Sequence, residues 1–137
     1  MQNSKPILLV EDDNVDVMVV ERLLNNLKIV NSLVHFTNGQ EALEYLRNED
    51  DEKPCVIFLD LNMPKMNGIE FLKVVKAEQK LRKIPIVMLT TSKEEQDVIE
   101  SFKFGINGYV VKPLDYEKFK EALGVINLHL DFECLAK

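Results

Sequence analysis

The chain has 137 residues, 46% hydrophobic and 29% charged, with a net charge of -6, the size and balance of one globular domain with one core. The negative charge argues against nucleic acid and against an anionic membrane surface, since both need a basic face. No apolar run is long enough for a signal peptide or a bilayer span, so a cytoplasmic protein is expected. Cys55 and Cys134 form no CxxC pair; reduced thiols are expected, with Cys55 a small core residue.

Ile7 to Val10 reads as a first buried strand, ended by Glu11-Asp12-Asp13-Asn14. A helix follows, with Val15, Val19, Leu23 and Leu27, joined by Val20 and Leu24, as its apolar stripe. Asp13 is expected to cap it. Ser32 to Thr37 reads as a second strand, broken at Asn38-Gly39. Asn38 can cap the next helix, with Glu41 three residues on, and Ala42, Leu43 and Leu46 facing inward. Asn48 to Lys53 is an acidic connection. Cys55 to Leu59 is a third strand, and its apolar run meets Asp60, Asn62 and Pro64. Met63 to Gly68 turns into a helix with Ile69, Leu72 and Val75 inward. Pro85 to Leu89 is a fourth strand, ending in Thr90-Thr91-Ser92. Ser92 and Glu95 suit a capping box for a helix through Val98 and Phe102, which Gly105 stops. Tyr109 to Val111 is a fifth strand, ending at Lys112-Pro113. Asp115 caps a last helix with Phe119, Leu123, Ile126 and Leu130 inward. That helix ends near the C-terminus, so one domain over 1–137, with a core of about 5–130 and no output domain, is expected.

Strands alternating with helices predict an α/β unit with a parallel sheet. Continuous apolar strands belong to parallel sheets covered on both faces. A carboxylate is costly inside such a layer, so Asp60 is expected where its strand emerges. Ligands of open α/β sheets bind at the C-terminal edge of the strands. Four strand ends bring polar groups there: Glu11, Asp12 and Asp13; Asp60; Thr90; and Lys112. Clustered carboxylates repel, and a hard divalent cation such as Mg²⁺ relieves that; nothing here offers the His/Cys set of zinc. With the cation in place, Asp60 can act as a nucleophile toward phosphorus, while Lys112 and Thr90 neutralise and hydrogen-bond phosphoryl oxygens. Each residue has an ordinary alternative: helix cap, turn, strand threonine, surface lysine. Their coincidence at matching strand ends favours a site. His35 and His129 fall at no such end and read as structural or solvated.

Val10-Glu11-Asp12-Asp13, Leu59-Asp60-Leu61-Asn62-Met63-Pro64, Leu89-Thr90 and Tyr109-Val110-Val111-Lys112-Pro113 together resemble a response-regulator receiver domain of the CheY-like class. The resemblance runs from Lys5 to about Leu130. It implies a doubly wound, flavodoxin-like sheet of order 2-1-3-4-5 with helices on both faces. It implies Asp60 as phosphoacceptor. Asp12 would bind Mg²⁺ directly and Glu11 largely through water, with the backbone carbonyl of Asn62 as a further ligand. Thr90 and Lys112 would contact the phosphoryl group, Tyr109 would be the switch aromatic, and the Lys112-Pro113 peptide would be cis. Asn62 and Ser92 occupy positions that tune phosphoryl lifetime in this family. The stretch from Lys80 to Lys83, followed by Ile84-Pro85 and Leu89-Thr90-Thr91-Ser92, resembles stand-alone regulators paired with phytochrome-type kinases.

The resemblance implies a phosphorylation-dependent switch of a two-component system, not a conventional enzyme. A sensor histidine kinase or phosphotransfer protein would donate the phosphoryl group. The face formed by the fourth helix, fifth strand and fifth helix would bind a target protein or form a homodimer. Three other readings compete. A degenerate receiver would only bind partners. A haloacid-dehalogenase-type phosphohydrolase needs an acid where this chain has Asn62. A flavin-binding domain needs a phosphate-cradling loop where this chain has Glu11 to Asp13.

Overall fold

In a computed structural model, which describes residues 5–61, 63, 66–91 and 95–129, the chain alternates strand and helix five times. The strands are β1 (Ile7–Val10), β2 (Leu33–Phe36), β3 (Val56–Asp60), β4 (Ile86–Thr90) and β5 (Gly108–Val111). The helices are α1 (Asn14–Asn26), α2 (Gly39–Arg47), α3 (Gly68–Ala77), α4 (Glu95–Lys103) and α5 (Tyr116–His129). All strand pairings are parallel, in the order β2-β1-β3-β4-β5. This is the flavodoxin-like topology that the resemblance implies. The side chain of Ile126, and residues Asn62, Pro64, Ser92, Leu130 and Cys134, lie outside what is described. No helix among the described residues is long and apolar enough to cross a membrane.

The two-residue period of the central strands divides the core between the faces of the sheet. Ile7, Leu9, Val56 and Phe58 face one way and pack with Val17, Val20, Leu23 and Leu24 of α1 and Phe119 and Leu123 of α5. Leu8, Val10, Ile57 and Leu59 face the other way, against Ala42, Leu43 and Leu46 of α2 and Phe71, Leu72 and Val75 of α3. On the first face the Phe58 and Phe119 rings stack at 5.1 Å between centroids, tying the last helix to the middle strand. Cys55 is buried in this layer, as expected.

Local sequence signals set most helix ends. The Asp13 side chain accepts the N–H groups of Val15 and Asp16 at the start of α1, and Asn38 accepts that of Glu41 at α2. Asn67 and Glu70 form a reciprocal capping box at α3, a signal the sequence reading passed over. Asp115 Oδ1 accepts the N–H of Lys118 at α5. Gly105, at φ +88°, ends α4 in the left-handed conformation that glycine takes without penalty.

Two inward faces differ from expectation. Val15 is 66% exposed, and Val17 takes its place in the core. Val15, Val17, Met18, Val19 and Val20 make the start of α1 apolar almost all round, so periodicity leaves its phase open; the sheet selects the Val17–Val20–Leu24 stripe. In α3 the fully buried aromatic is Phe71, while Ile69 is only partly buried.

Candidate functional site

The sheet register builds the site. Val10 pairs with Leu59 across β1 and β3, which sets Glu11 beside Asp60 at the C-terminal edge. Asp60 pairs with Leu89, and Thr90 with Val111, so Lys112 leaves β5 at the same edge. Strand alternation places Glu11 with Ile7 and Leu9, and Asp60 with Val56 and Phe58, on the side covered by α1 and α5. The two carboxylates therefore converge beneath the first turn of α1.

The Glu11 backbone is held on both polar groups. Its N–H donates to the Phe36 carbonyl at 3.0 Å. Its own carbonyl accepts from His35 Nε2 at 2.6 Å, so His35, read as structural or solvated, ties β2 to the strand end that carries Glu11. The Glu11 carboxylate accepts the Asp13 N–H at 3.2 Å and pairs with Lys112 at 2.9 Å. Glu11 and Asp60 are buried, while Asp12 is exposed at the rim. Carboxylate oxygens of Glu11, Asp12 and Asp60 lie within 4.8 Å of one another.

Lys112 reaches across the sheet edge to three carboxylates: Glu11 Oε1 at 2.9 Å, Asp16 Oδ2 at 2.9 Å and Asp60 Oδ1 at 3.2 Å. Burial alone would lower the pKa of this ammonium, but the hydrogen bonds to Asp16 and Glu11 and the charges of Asp60 and Glu11 outweigh it, so Lys112 stays charged. Asp60 is pushed up to about 8, first by burial and then by the negative charge of Glu11, against the opposing pull of Lys112. One ammonium does not neutralise this set of acids. An all-oxygen set of clustered carboxylates, one of them exposed to solvent, fits a hard divalent cation that retains water.

Asp16 is the contact that sequence reading missed. An acid in the first turn of a helix is ordinary; the available signal was its place in that turn, directly above the strand ends. Thr90 is buried, and its hydroxyl donates to the Thr91 carbonyl at 3.2 Å. Tyr109 is 46% exposed and meets the Phe102 ring edge-on at 5.8 Å. A cleft of about 390 Å³ joins Thr90 and Thr91 to Val98, Ile99, Phe102 and Tyr109. The Lys112-Pro113 peptide is cis. Glu11, Asp12, Asp60 and Lys112 are thus brought together, with Thr90 at the next strand end and Tyr109 across a cleft from it.

The turn after Asp60 is fixed by close approach at Gly68. Its N–H donates to the Leu61 carbonyl at 2.8 Å. A Cβ there would lie 2.7 Å from the Asp60 carbonyl oxygen and 2.8 Å from the Leu61 Cα, both of them backbone. Gly68→Ala must therefore displace the end of β3 or the start of α3. A loss of about 1–3 kcal/mol is expected in urea unfolding, with weaker metal binding because Asp60 moves. A fully stable variant would show that this junction is looser than the distances imply.

Comparison with known proteins agrees with this geometry. The family described as the response regulator receiver domain matches residues 7–124. Response regulator Rcp1 of Synechocystis sp. is 36% identical over 132 residues, covering 93% of this chain and 90% of its own. The crystal structure of its Mn(2+)-bound form has a TM-score of 0.78 over 97% of this chain and 99% of that one, at 36% identity. The bacteriophytochrome response regulator RtBRR has a TM-score of 0.82 at 42% identity, covering 90% of this chain and 78% of that one. The phosphorylated cyanobacterial phytochrome response regulator RcpA has a TM-score of 0.79 at 33% identity, covering 98% and 100%.

Proposed function

Because the chain belongs to the response regulator receiver domain family, and so acts as a phosphorylation-dependent switch in two-component signalling, we propose that Asp60 is its phosphoacceptor. An Asp60 carboxylate oxygen attacks the phosphorus of a phosphohistidine on a histidine kinase or phosphotransfer protein. The O–P bond forms as the N–P bond to the donor imidazole breaks. Glu11, Asp12 and Asp60 would hold Mg²⁺, joined by the backbone carbonyl of Asn62, which lies outside the described residues. The ion would supply the positive charge that lets an anionic phosphoryl group approach a carboxylate. Lys112 supplies a fixed charge, and Thr90 a hydroxyl donor, to phosphoryl oxygens. The observation that carries the reading is the cluster of three carboxylates, with Asp60 buried and 3.2 Å from the lysine.

The switch would run through Thr90 and Tyr109. The cleft between them supports a movement of Thr90 toward the phosphoryl group, followed by the Tyr109 ring turning inward. A phosphoryl group shifts that balance only by its differential contacts in the two states. The changed α4–β5–α5 face would then bind a target protein or a second copy. The resemblance to regulators named for phytochromes supports a phytochrome-type kinase as the donor.

Intact mass after incubation with acetyl phosphate, with peptide mapping, tests the reading. One phosphoryl group is expected, on the peptide containing Asp60, with Mg²⁺ present and absent with chelator. An adduct elsewhere, or one indifferent to chelator, would overturn it. If no adduct survives, Mg²⁺-dependent binding of beryllofluoride at Asp60 identifies fast hydrolysis, and its failure identifies a binding-only receiver. NMR of the Tyr109 ring in the phosphorylated or beryllofluoride state should show it less exposed; an unchanged ring removes the proposed switch route.

A further inference from the structure

The three carboxylates around Lys112 are not equivalent. Glu11 and Asp60 belong to the cluster that could hold a metal, and Asp16 does not. Asp16 is also the most solvent-accessible of the three, its side chain 21% exposed against 0% for Glu11 and 7% for Asp60. It comes from another element, the first turn of α1, where the Asp13 side chain holds the N–H groups of Val15 and Asp16 at 2.8 and 3.4 Å. An ammonium has three N–H donors and no acceptor, and here it has three carboxylate partners.

We propose that Asp16 is a positioning residue that draws the Lys112 ammonium toward α1, so that it does not occupy the Glu11 and Asp60 oxygens that a divalent cation needs. This rests on the reading of Glu11, Asp12 and Asp60 as a metal site. The physical argument is competition. An ammonium and a divalent cation seek the same oxygens and repel each other. Without Asp16, two partners remain for Lys112, both of them buried. Charges attract more strongly there than at the rim, so the ammonium settles deeper and opposes the metal more. Two plainer roles make different predictions. If Asp16 only complements the dipole of α1, its loss leaves metal binding alone. If it only adds negative charge nearby, its loss weakens metal binding whether or not Lys112 is present.

Mn²⁺ titration of the full chain, followed by the electron spin resonance of free Mn²⁺, separates these roles without reference to phosphorylation. Asp16→Asn is isosteric and near the surface, and circular dichroism verifies its fold. Its Mn²⁺ dissociation constant is expected to rise by about three- to tenfold, the scale of one partly screened ion pair. Asp16→Glu should restore binding to within about twofold, because it returns the carboxylate. In a Lys112→Met background the Asp16→Asn change should alter binding by less than about twofold, the double-mutant signature of action through the lysine. Unchanged or tighter binding in Asp16→Asn overturns the proposal, and so does an equal loss in the Lys112→Met background. Failure of the underlying metal reading looks different: Asp60→Asn would then leave Mn²⁺ binding unchanged, and both inferences would fall together.

Discussion

Asp60→Asn is expected to accept no phosphoryl group and yet to unfold at higher urea than the wild type at pH 8 without metal. The first half follows from chemistry, since an amide is not a nucleophile toward phosphorus as a carboxylate is. The second follows from burial. The Asp60 carboxyl is pushed from 3.8 to about 8 in the folded protein, by burial and by Glu11 beside it. A raised pKa means that the fold disfavours the ionised form. The unfolded chain gives up this proton near pH 4, whereas the folded protein keeps it until about pH 8. Stability from this group is therefore full below about pH 4, falls as pH rises through the interval, and is level above it. The variant lacks this titration. Its advantage should be near zero at pH 4 and grow to about 1–3 kcal/mol by pH 8, the opposing pull of Lys112 being already contained in the raised value. Saturating Mg²⁺ should close the gap by stabilising the wild type, because a metal held at Glu11, Asp12 and Asp60 would favour the ionised carboxylate. Urea unfolding of both proteins at several pH values measures it. A gap that does not vary with pH, or a variant less stable at pH 8, would refute this account of Asp60.

Phe58→Ala is expected to be the most damaging single truncation in the core. Phe58 is fully buried two residues before Asp60, and its ring stacks on Phe119 of α5, also fully buried. Truncation removes the ring's transfer energy and its stacking partner, and it leaves a cavity between two elements that cannot both relax. A loss of about 3–5 kcal/mol is expected, a large part of the 5–15 kcal/mol typical of a domain. Phe58→Leu keeps most of the volume and should recover about half of that loss. Urea midpoints at constant slope test both. A loss below about 1.5 kcal/mol for the alanine variant would mean that α5 collapses onto the sheet, and the stack would then not be what anchors it.

The sequence made the strands and the edge legible because parallel burial leaves a plain mark. Ile7 to Val10 and Val56 to Leu59 are uninterrupted apolar runs, and each ends at an acid. Once the strands are parallel, those ends must share an edge, so Glu11, Asp12, Asp60, Thr90 and Lys112 could be gathered before any coordinates. The order of the strands could not be gathered that way; it came with the family resemblance. Helix phase was legible only where the apolar stripe was narrow. In α2 the polar residues leave one buried face, and Ala42, Leu43 and Leu46 lie on it as the pattern predicts. At α1 the excess of valine hides the phase, and Val15, expected inward, is exposed. Asp16 stayed invisible for another reason: its meaning depends on a lysine 96 residues further along the chain. His35 shows the same limit, since its bond to the Glu11 carbonyl needs the β1–β2 register to be seen.

The reach of Lys112 also has a consequence for how the protein is made. Its partners stand 101 residues earlier, at Glu11, and 52 residues earlier, at Asp60. During synthesis β1 and β3 leave the ribosome well before β5, and a domain folds as a unit. The acids are therefore made first and their ammonium last, and the contact between them is of the distant kind that forms slowly. A nascent or prematurely ended chain that stops before β5 carries the Glu11, Asp12 and Asp60 cluster without the lysine that pairs with it. The completed charge cluster is thus reserved for chains in which nearly the whole sheet has been made.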